Sequence, residues 1–292
     1  MINKVKNNLY WGKAIAAFFI VLLLMPLGHA LMKIMESTMP PTTLHISAFV
    51  LGFVGWVIVI WGVFVKGDTK QTLMGLIGGL LFWTGWIEFL LQYFAQRVGA
   101  QPEIVNGEVV TQPEYLLMPA TFGFYMLVMT LYLFCTRVGC NWINWWQRLL
   151  FGRRRDGIVA RPITHHTSIV TFMEFNMIMW SSYLLLMFLY DPAFFGDHHP
   201  VTYAVGFFCL IGSVFIFRKQ LHLSGWGANI RMAIATVIVF WVPVEIAGRI
   251  DLFREIWVEP QQYKGAIWGM LIALVVLVAL LIVNARRTKT DK

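Results

Sequence analysis

Three glutamates lie inside long apolar segments of this sequence, where a charged side chain is unexpected. Glu245 stands near the end of an apolar run that begins near Met232, and Arg249 follows it four residues later. A carboxylate in the hydrocarbon of a membrane costs roughly 2.5 to 3.5 kcal/mol, so it is usually paired, hydrated or used for function. Glu88 and Glu174 occupy comparable positions in two other apolar runs. Glu88, Glu174, Glu245 and Arg249 are therefore our candidate catalytic or proton-carrying residues.

The spacing of Glu245 and Arg249 also has a purely structural explanation. Residues four apart share one face of a helix and can form an ion pair. Such a pair would hold two helices together without any chemistry. Charged residues within other apolar segments favour a functional role, and the sequence leaves both explanations open.

Histidine and carboxylate side chains suggest a second kind of chemistry, which is metal binding. Imidazole suits copper, iron and zinc, and carboxylates complete the coordination shell, so we expect copper or iron as a possible cofactor. The candidate metal ligands are His29, His45, Glu88, Asp197, His198, His199 and Glu245. Because His198 and His199 are adjacent, they would point to opposite sides of a strand, and we expect at most one of them to be a ligand. A single histidine in such a segment is more often structural.

The composition defines the surroundings in which these residues act. The chain is 58% hydrophobic and 13% charged, with 13 tryptophans and 23 phenylalanines, which leaves no room for a sizeable soluble domain. We therefore expect a polytopic protein of the bacterial cytoplasmic (inner) membrane, in contact with the lipid bilayer. The net charge of +8 does not indicate nucleic acid binding, because most lysines and arginines fall in short loops between apolar runs.

Eight apolar runs are long enough to cross about 30 Å of hydrocarbon as helices. The predicted crossings are Gly12 to Met32, His45 to Val65, Leu73 to Ala95, Tyr115 to Cys135, Thr167 to Tyr190, Val201 to Phe217, Met232 to Leu252 and Ala266 to Asn284. The fold class is accordingly all-α, with about eight transmembrane helices. No linker or internal repeat divides the chain, so we predict one domain over residues 1–292.

Basic residues alternate with acidic or neutral loops along the chain, which predicts that both termini are cytoplasmic. Odd-numbered helices then run from inside to outside. His29, Glu88 and Glu245 fall in the outer half of their helices, whereas Glu174 falls near the inner third. His45 opens the second helix at the outer face. A common depth is a necessary condition for a shared site, but it does not establish that the helices are neighbours.

Two loops are predicted to have structure of their own. Residues 141–152 are rich in tryptophan and precede a cluster of arginines, which is typical of an amphipathic helix at the membrane interface. The polar loop 96–114 contains Asn106-Gly107 between Glu-Ile-Val and Glu-Val-Val, which predicts a β-hairpin with a two-residue turn.

Four short segments carry a resemblance to a known family. They are His29-Ala30-Leu31-Met32, Gly85-Trp86-Ile87-Glu88, Met118-Pro119-Ala120-Thr121 and Val242-Pro243-Val244-Glu245. In this order they resemble the A-type membrane component of the particulate methane and ammonia monooxygenases, the copper membrane monooxygenase family. That family has a His-Ala-Met type segment, a Gly-Glu-Trp-Ile segment, a Phe-Pro-Ala-Ser segment and a late Val-Pro-Val-Glu. Here the glutamate of the third helix is displaced relative to the Trp-Ile pair, and one more crossing is predicted.

The resemblance implies an integral subunit of a copper-dependent, oxygen-activating complex that hydroxylates small substrates together with other membrane subunits. It carries over to His29, Glu88 and Glu245 as groups that line an intramembrane cavity or support a nearby metal. The family's accepted copper ligands lie largely in its other subunits. We therefore expect a metal-dependent oxidoreductase subunit that acts on a small-molecule substrate.

Two further classes of function remain open on the sequence. In a transporter or proton-coupled permease, Glu88, Glu174 and Glu245 would form a relay between the two faces of the membrane. In a non-catalytic subunit of a membrane complex, the same residues would only hold helices together.

Overall fold

The computed structural model describes residues 9–105, 108–111, 113–135, 141–152, 166–250, 252–257 and 259–290. The helices are α1 (Trp11–Thr38), α2 (Pro41–Phe64), α3 (Asp68–Phe82), α4 (Phe89–Arg97), α5 (Pro113–Leu116), α6 (Phe122–Cys135), α7 (Asn141–Phe151), α8 (Thr167–Tyr190), α9 (Pro200–Gln220), α10 (Trp226–Arg249) and α11 (Lys264–Thr290). A π-helical turn, Trp83–Glu88, joins α3 to α4, and a 3-10 turn, Met118–Thr121, precedes α6.

Within the described ranges, seven helices are long and apolar enough to cross a membrane. They are Trp11–Thr38, Pro41–Phe64, Asp68–Arg97, Thr167–Tyr190, Pro200–Gln220, Trp226–Arg249 and Lys264–Val283. The predicted helical fold, with several helices apolar enough to cross a membrane, is therefore confirmed. The predicted crossing Tyr115 to Cys135 contains a shorter apolar helix, and the 3-10 turn interrupts the segment near its start. Pro119 lies in this turn, where its fixed φ and missing N–H suit the first positions of a helical turn.

Helix α10 occupies the centre of the bundle and packs against α1, α3, α8 and α9. The side chains that fill this centre are small or branched and fully buried: Ala14, Ala17, Ile20 and Val21 from α1, and Ile230, Ala233, Ile234 and Val237 from α10. Helices α2, α9 and α11 expose many large apolar side chains instead. Such a distribution suits a bundle whose outer helices face lipid tails.

Glycines bring α2 unusually close to α3 and to the π-helical turn. A Cβ atom on Gly55 would lie 2.6 Å from the carbonyl oxygen of Gly78, and one on Gly85 would overlap the backbone of Gly52. Small residues at such contacts let two membrane helices pack backbone to backbone. The side chain of Trp86 also donates to the carbonyl oxygen of Phe49 in α2. One face of the turn is thus fixed against α2.

Both structured loops are present. Helix α7 buries Ile143 and Gln147 and exposes Trp145, Leu149 and Leu150, so the predicted amphipathic helix is confirmed. The strands β1 (Glu103–Val105) and β2 (Glu108–Thr111) pair antiparallel, with Val105 opposite Glu108, which confirms the predicted hairpin. The turn residues Asn106 and Gly107 lie outside the described residues. This hairpin is the exception to the all-α prediction.

Candidate functional site

A cavity of about 970 Å³ lies between the C-terminal halves of α1, α8 and α10, the π-helical turn, and the segment that connects α10 to α11. His29, Glu88, Glu245 and Arg249 all line it. The structure therefore brings together four of the site residues predicted from the sequence. A volume of this size falls within the range of about 300 to 1,000 Å³ that is usual for small-molecule sites.

His29 and Glu88 form the first polar cluster of the cavity. The Nδ1 atom of His29 lies 3.1 Å from Oε1 of Glu88, and the side chains are 15% and 9% exposed. The hydroxyl oxygen of Tyr115, from α5, lies 3.3 Å from the same Nδ1 atom. One imidazole nitrogen thus has a carboxylate and a phenol as neighbours, and the tautomer decides whether it donates or accepts.

Glu245 and Arg249 form the second polar cluster, with different partners. The indole N–H of Trp241 donates to Oε1 of Glu245 at 2.5 Å, one helical turn earlier on α10. Arg249 forms an ion pair with Asp197, from the loop before α9, with 2.6 Å between Nε and Oδ1. The guanidinium also lies over the ring of Tyr190, 4.3 Å from its centroid. The ion pair of Arg249 therefore joins α10 to the loop that precedes α9.

Each helix that carries an acid or base into the cavity has a proline or a π-helical turn next to that residue. Pro26 lies inside α1 three residues before His29, and Pro243 lies inside α10 two residues before Glu245. The π-helical turn ends on Glu88. Proline removes one intrahelical hydrogen bond, and π-helical turns are found frequently at functional sites. These local features accompany all three titratable side chains.

Aromatic rings form much of the remaining wall. Tyr183 lies between Tyr115 and Trp83, with ring centroids 5.3 Å and 5.7 Å away and nearly parallel planes. Trp257, from the segment after α10, packs on Trp241 at 5.0 Å with a tilt of 49°. The cavity therefore combines carboxylates and cations with broad aromatic surfaces.

The segment between α10 and α11 folds back over the cavity. A Cβ atom on Gly248 would overlap the carboxylate of Glu255, so glycine at this position permits the close approach. The side-chain amide of Gln261 donates to the hydroxyl of Ser37 at the end of α1, at 3.1 Å. Burial and then the negative charge of Glu245 raise the pKa of Glu255 to about 7. Glu255 is therefore a carboxyl group that titrates near neutral pH at the edge of the cavity.

Glu174 lies apart from this cavity. Its side chain is fully buried, and its Oε1 atom accepts the backbone N–H of Asn141, the first residue of α7, at 3.2 Å. Its Oε2 atom has no hydrogen-bond partner among the described residues. Along α8, the buried side chains of Phe175 and Ile178 separate Glu174 from Met179, which lines the cavity. The predicted relay of three glutamates is thus not continuous in this structure.

The predicted metal ligands do not form one cluster. In the part of the chain that the structure describes, no three His, Cys, Asp or Glu side chains are grouped so that they could hold a metal ion. His45 packs against Phe89 and Tyr93, with ring centroids 5.7 Å and 5.0 Å away. A position along a helix predicts depth but not the direction in which the side chain points, which is why donors at one depth are separated here.

The two histidines of the loop before α9 have local partners. Nδ1 of His198 lies 2.9 Å from the hydroxyl oxygen of Tyr203. His199 caps α9, and its Nδ1 atom accepts the backbone N–H of Val201 at 3.2 Å. Of the predicted set in this loop, Asp197 contacts a cavity residue, through its ion pair with Arg249.

Sequence reasoning missed several residues of the cavity wall. Met179, Tyr183, Leu186 and Tyr190 of α8 line the cavity at alternating spacings of four and three, which places them on one helical face. Two tyrosines seven residues apart in an otherwise apolar helix were the available signal. Glu255 gave no comparable signal, because the return of its loop depends on tertiary packing.

Comparison of the chain with protein-family models, curated proteins and solved structures found no match.

Proposed function

We propose that this protein is a membrane carrier that binds a small polar solute in the cavity and exchanges protons at His29, Glu88 and Glu245. The observation that supports the proposal best is the convergence of three titratable side chains, each next to a proline or at the end of a π-helical turn, on one cavity of about 970 Å³. Prolines inside membrane helices are tolerated where neighbouring groups or water satisfy the freed backbone carbonyl. Transporters commonly use such helices to build their binding sites.

The prolines of α1 and α10 also free two backbone carbonyl groups. Because Pro26 and Pro243 have no N–H, the carbonyl oxygens of Leu22 and Val239 lose their usual intrahelical donors. A carbonyl without that donor can accept a hydrogen bond from a solute, from water or from a neighbouring side chain. Leu22 precedes His29 by seven residues and Val239 precedes Glu245 by six, so these carbonyl groups lie nearly two helical turns before the titratable side chains.

The contacts of His29 support a proton exchange between two arrangements. When Nδ1 carries a proton, it donates to the carboxylate of Glu88 at 3.1 Å. When Nδ1 has lost that proton, it accepts a hydrogen bond from the hydroxyl of Tyr115 at 3.3 Å, and Glu88 no longer accepts a hydrogen bond from His29. Either state keeps the imidazole nitrogen hydrogen-bonded, so loss of the proton does not leave Nδ1 without a partner.

The second candidate function is the metal-dependent oxidoreductase subunit suggested by the resemblance to the copper membrane monooxygenases. The observation that favours it is the same His29 and Glu88 pair. A metal-binding histidine usually donates its other ring N–H to a carboxylate, which fixes the ring and leaves the second nitrogen for the metal. In this function, Nε2 of His29 would hold copper or iron with ligands supplied in part by other subunits, and the cavity would admit a small substrate.

Solute uptake tests the first function. Purified protein in liposomes is offered a panel of labelled amines, amino acids, carboxylic acids and sugars, with and without an imposed proton gradient. We expect at least one solute to accumulate with the gradient, and we expect Glu88→Gln and Glu245→Gln to abolish this accumulation. Glu174→Gln, outside the cavity, is the matched control. No accumulation above that of empty liposomes, or accumulation unaffected by both cavity variants, would contradict the proposal.

Metal analysis tests the second function. Protein isolated from native-like membranes is compared with its His29→Ala and Glu245→Gln variants by elemental mass spectrometry. Near-stoichiometric copper or iron that falls in the variants would favour the oxidoreductase subunit over the carrier. Metal contents that are the same in wild type and variants would count against a site at these residues.

A further inference from the structure

The charges around the cavity favour a cationic ligand. In the described part of the chain, the lining of the cavity includes four carboxyl groups, two arginines and one histidine. The acidic residues are Glu88, Glu245, Glu255 and Glu259, and the basic ones are Arg249, Arg254 and His29. Arg249 is already paired with Asp197 at 2.6 Å, so its charge is balanced from outside this group of carboxylates. A cleft lined mainly by one sign of charge, between walls of low dielectric, concentrates ligands of the opposite sign.

The aromatic walls make an organic cation a better match than an inorganic one. Trp241, Trp257 and Phe253 form a corner of tilted rings, with centroids 5.0 Å apart for the first pair and 6.1 Å apart for the second. The faces of such rings attract ammonium groups, and quaternary ammonium ligands are commonly bound in aromatic cages. Trp241 also donates to Glu245, so a carboxylate lies beside this corner.

One cation already occupies an aromatic face of this cavity. The guanidinium carbon of Arg249 lies 4.3 Å from the ring centroid of Tyr190. The hydroxyl group of Tyr190 is buried and has no hydrogen-bond partner among the described residues, although its side chain lines the cavity. Buried hydroxyl groups are rarely left unpaired in native proteins. In this structure the hydroxyl oxygen itself is covered by protein, although the rest of the side chain lines the cavity.

We propose that the cavity binds a small organic cation, a protonated or quaternary amine. Its charged group lies against the corner of Trp241 and Trp257, beside the side chains of Glu245 and Glu255. The inference rests on the proposed carrier function, since it names the class of solute that this cavity takes.

A matched pair of ligands tests the charge directly. Choline carries a quaternary ammonium and a hydroxyl, and 3,3-dimethylbutan-1-ol is its neutral isostere. Calorimetric titration of the full-length wild-type protein with both compounds compares them at equal shape. We expect choline to bind at least about tenfold more tightly than the neutral alcohol, in line with the strength of a desolvated cation–π contact. Equal affinities, or no binding of choline, would overturn the proposal.

Variants locate the site. We expect Glu245→Gln and Trp257→Leu each to weaken choline binding by about tenfold. Glu174→Gln, whose side chain lies outside the cavity, serves as the control with unchanged affinity. Choline affinity that survives both cavity substitutions would place the site elsewhere and overturn the assignment. The comparison of the two ligands uses wild-type protein alone, so it stands even where a variant does not fold.

Uptake of labelled choline into liposomes separates this inference from the carrier function. Choline that binds but is not transported would support the cation site and count against a carrier for this class of solute. Gradient-driven uptake of a neutral or anionic solute, together with no binding of choline, would support the carrier and overturn the cation assignment.

Discussion

Glu245 and Glu174 are both glutamates within apolar helices, but their surroundings differ. Glu245 lines a cavity of about 970 Å³, with a tryptophan N–H on one oxygen and other titratable groups around the same space. Glu174 is fully buried and accepts the first backbone N–H of α7. The first carboxylate faces a volume that a ligand or water can enter, and the second is enclosed by protein.

The comparison shows why an intramembrane charge is not by itself a functional signal. A carboxylate at the N-terminus of a helix is stabilised by the unsatisfied N–H groups and by the helix dipole, which gives Glu174 a structural role at α7. Near that end of the bundle, other buried polar groups are also paired between helices, such as Gln220 with the carbonyl oxygen of Ala14 and with Thr236. The cavity end differs because its polar groups surround open space.

The largest effect is expected from Glu245→Gln. The substitution removes the charge and the exchangeable carboxyl proton but little volume, so the protein should remain folded in the membrane. We expect gradient-driven uptake to fall at least about a hundredfold, which is within the range for losing an acid or base that transfers a proton. The initial rate of uptake in liposomes, with the amount of folded protein matched by gel filtration, measures it. A wild-type rate would reduce Glu245 to a structural residue.

Glu174→Ala should lower the stability of the protein and leave uptake unchanged, the reverse of what we expect for Glu245→Gln. Removing the carboxylate leaves the N–H of Asn141 without its acceptor, which costs about 1 to 3 kcal/mol for a buried group. We expect a lower thermal unfolding midpoint in detergent, with uptake per folded molecule unchanged. Glu174→Gln retains an oxygen acceptor and is the matched control with a smaller shift. Loss of uptake at unchanged stability would place Glu174 with the functional carboxylates.

Tyr115→Phe tests the hydrogen bond between the Tyr115 hydroxyl and Nδ1 of His29. The substitution removes one hydrogen bond to Nδ1 and leaves the contact with Glu88. We expect uptake to fall by about three- to tenfold, since a neutral hydrogen bond contributes about 0.5 to 1.5 kcal/mol. The pH dependence of the uptake rate should change as well, because the phenol stabilises the form without a proton on Nδ1. Tyr203→Phe, which removes a similar contact to His198, is the control, and equal effects of the two would contradict the assignment.

The smallest effect concerns the segment that covers the cavity. In the docked segment the pKa of Glu255 is raised to about 7 from an ordinary value of 4.5, because of burial and the charge of Glu245. The docked form therefore holds a proton that an undocked form releases, so docking is strongest at low pH and weakens as pH rises from about 4.5 to about 7. Hydrogen exchange of residues 252–257, corrected for the intrinsic rate, should become faster through this window.

Two variants test whether Glu255 causes this pH dependence of hydrogen exchange. Glu255→Gln should remove the pH dependence of exchange, because an amide does not titrate in this range. Glu259→Gln, which changes an exposed carboxylate of the same segment, should leave it intact. A pH dependence that persists in Glu255→Gln would assign the effect to another group.

The fold was predictable where one physical rule acts alone. The bounds of α8, Thr167 to Tyr190, follow from a run that is apolar over most of its length, and the hairpin follows from Asn106-Gly107 between β-forming residues. The ends of α1 and α10 were less predictable, since α1 continues to Thr38 beyond the predicted end and α10 begins at Trp226 before the predicted start. Polar residues near an interface can extend a helix without changing the apolar run.

The depth of each site residue along its helix was predictable, but the direction in which its side chain points around the helix axis was not. The rise per residue of a helix converts a position in sequence into depth, so His29, Glu88 and Glu245 were correctly placed near one another along the bundle. Whether a side chain faces a cavity, a neighbour or lipid depends on helix packing, and His45 packs against Phe89 and Tyr93 and is not among the residues that line the cavity. The return of Glu255 over Gly248 depends on contacts distant in sequence.

If the protein is a carrier as proposed, ligands and water reach the carboxyl groups of the cavity, which exchange protons, whereas they do not reach Glu174. Dicyclohexylcarbodiimide reacts with protonated carboxyl groups in apolar surroundings, and peptide mass mapping locates the adducts. We predict adducts at Glu245 or Glu88, slowed by a bound solute, and none at Glu174 over the same time. Modification of Glu174 as fast as that of Glu245 would show that the two glutamates are equally accessible and would contradict the proposed difference between them.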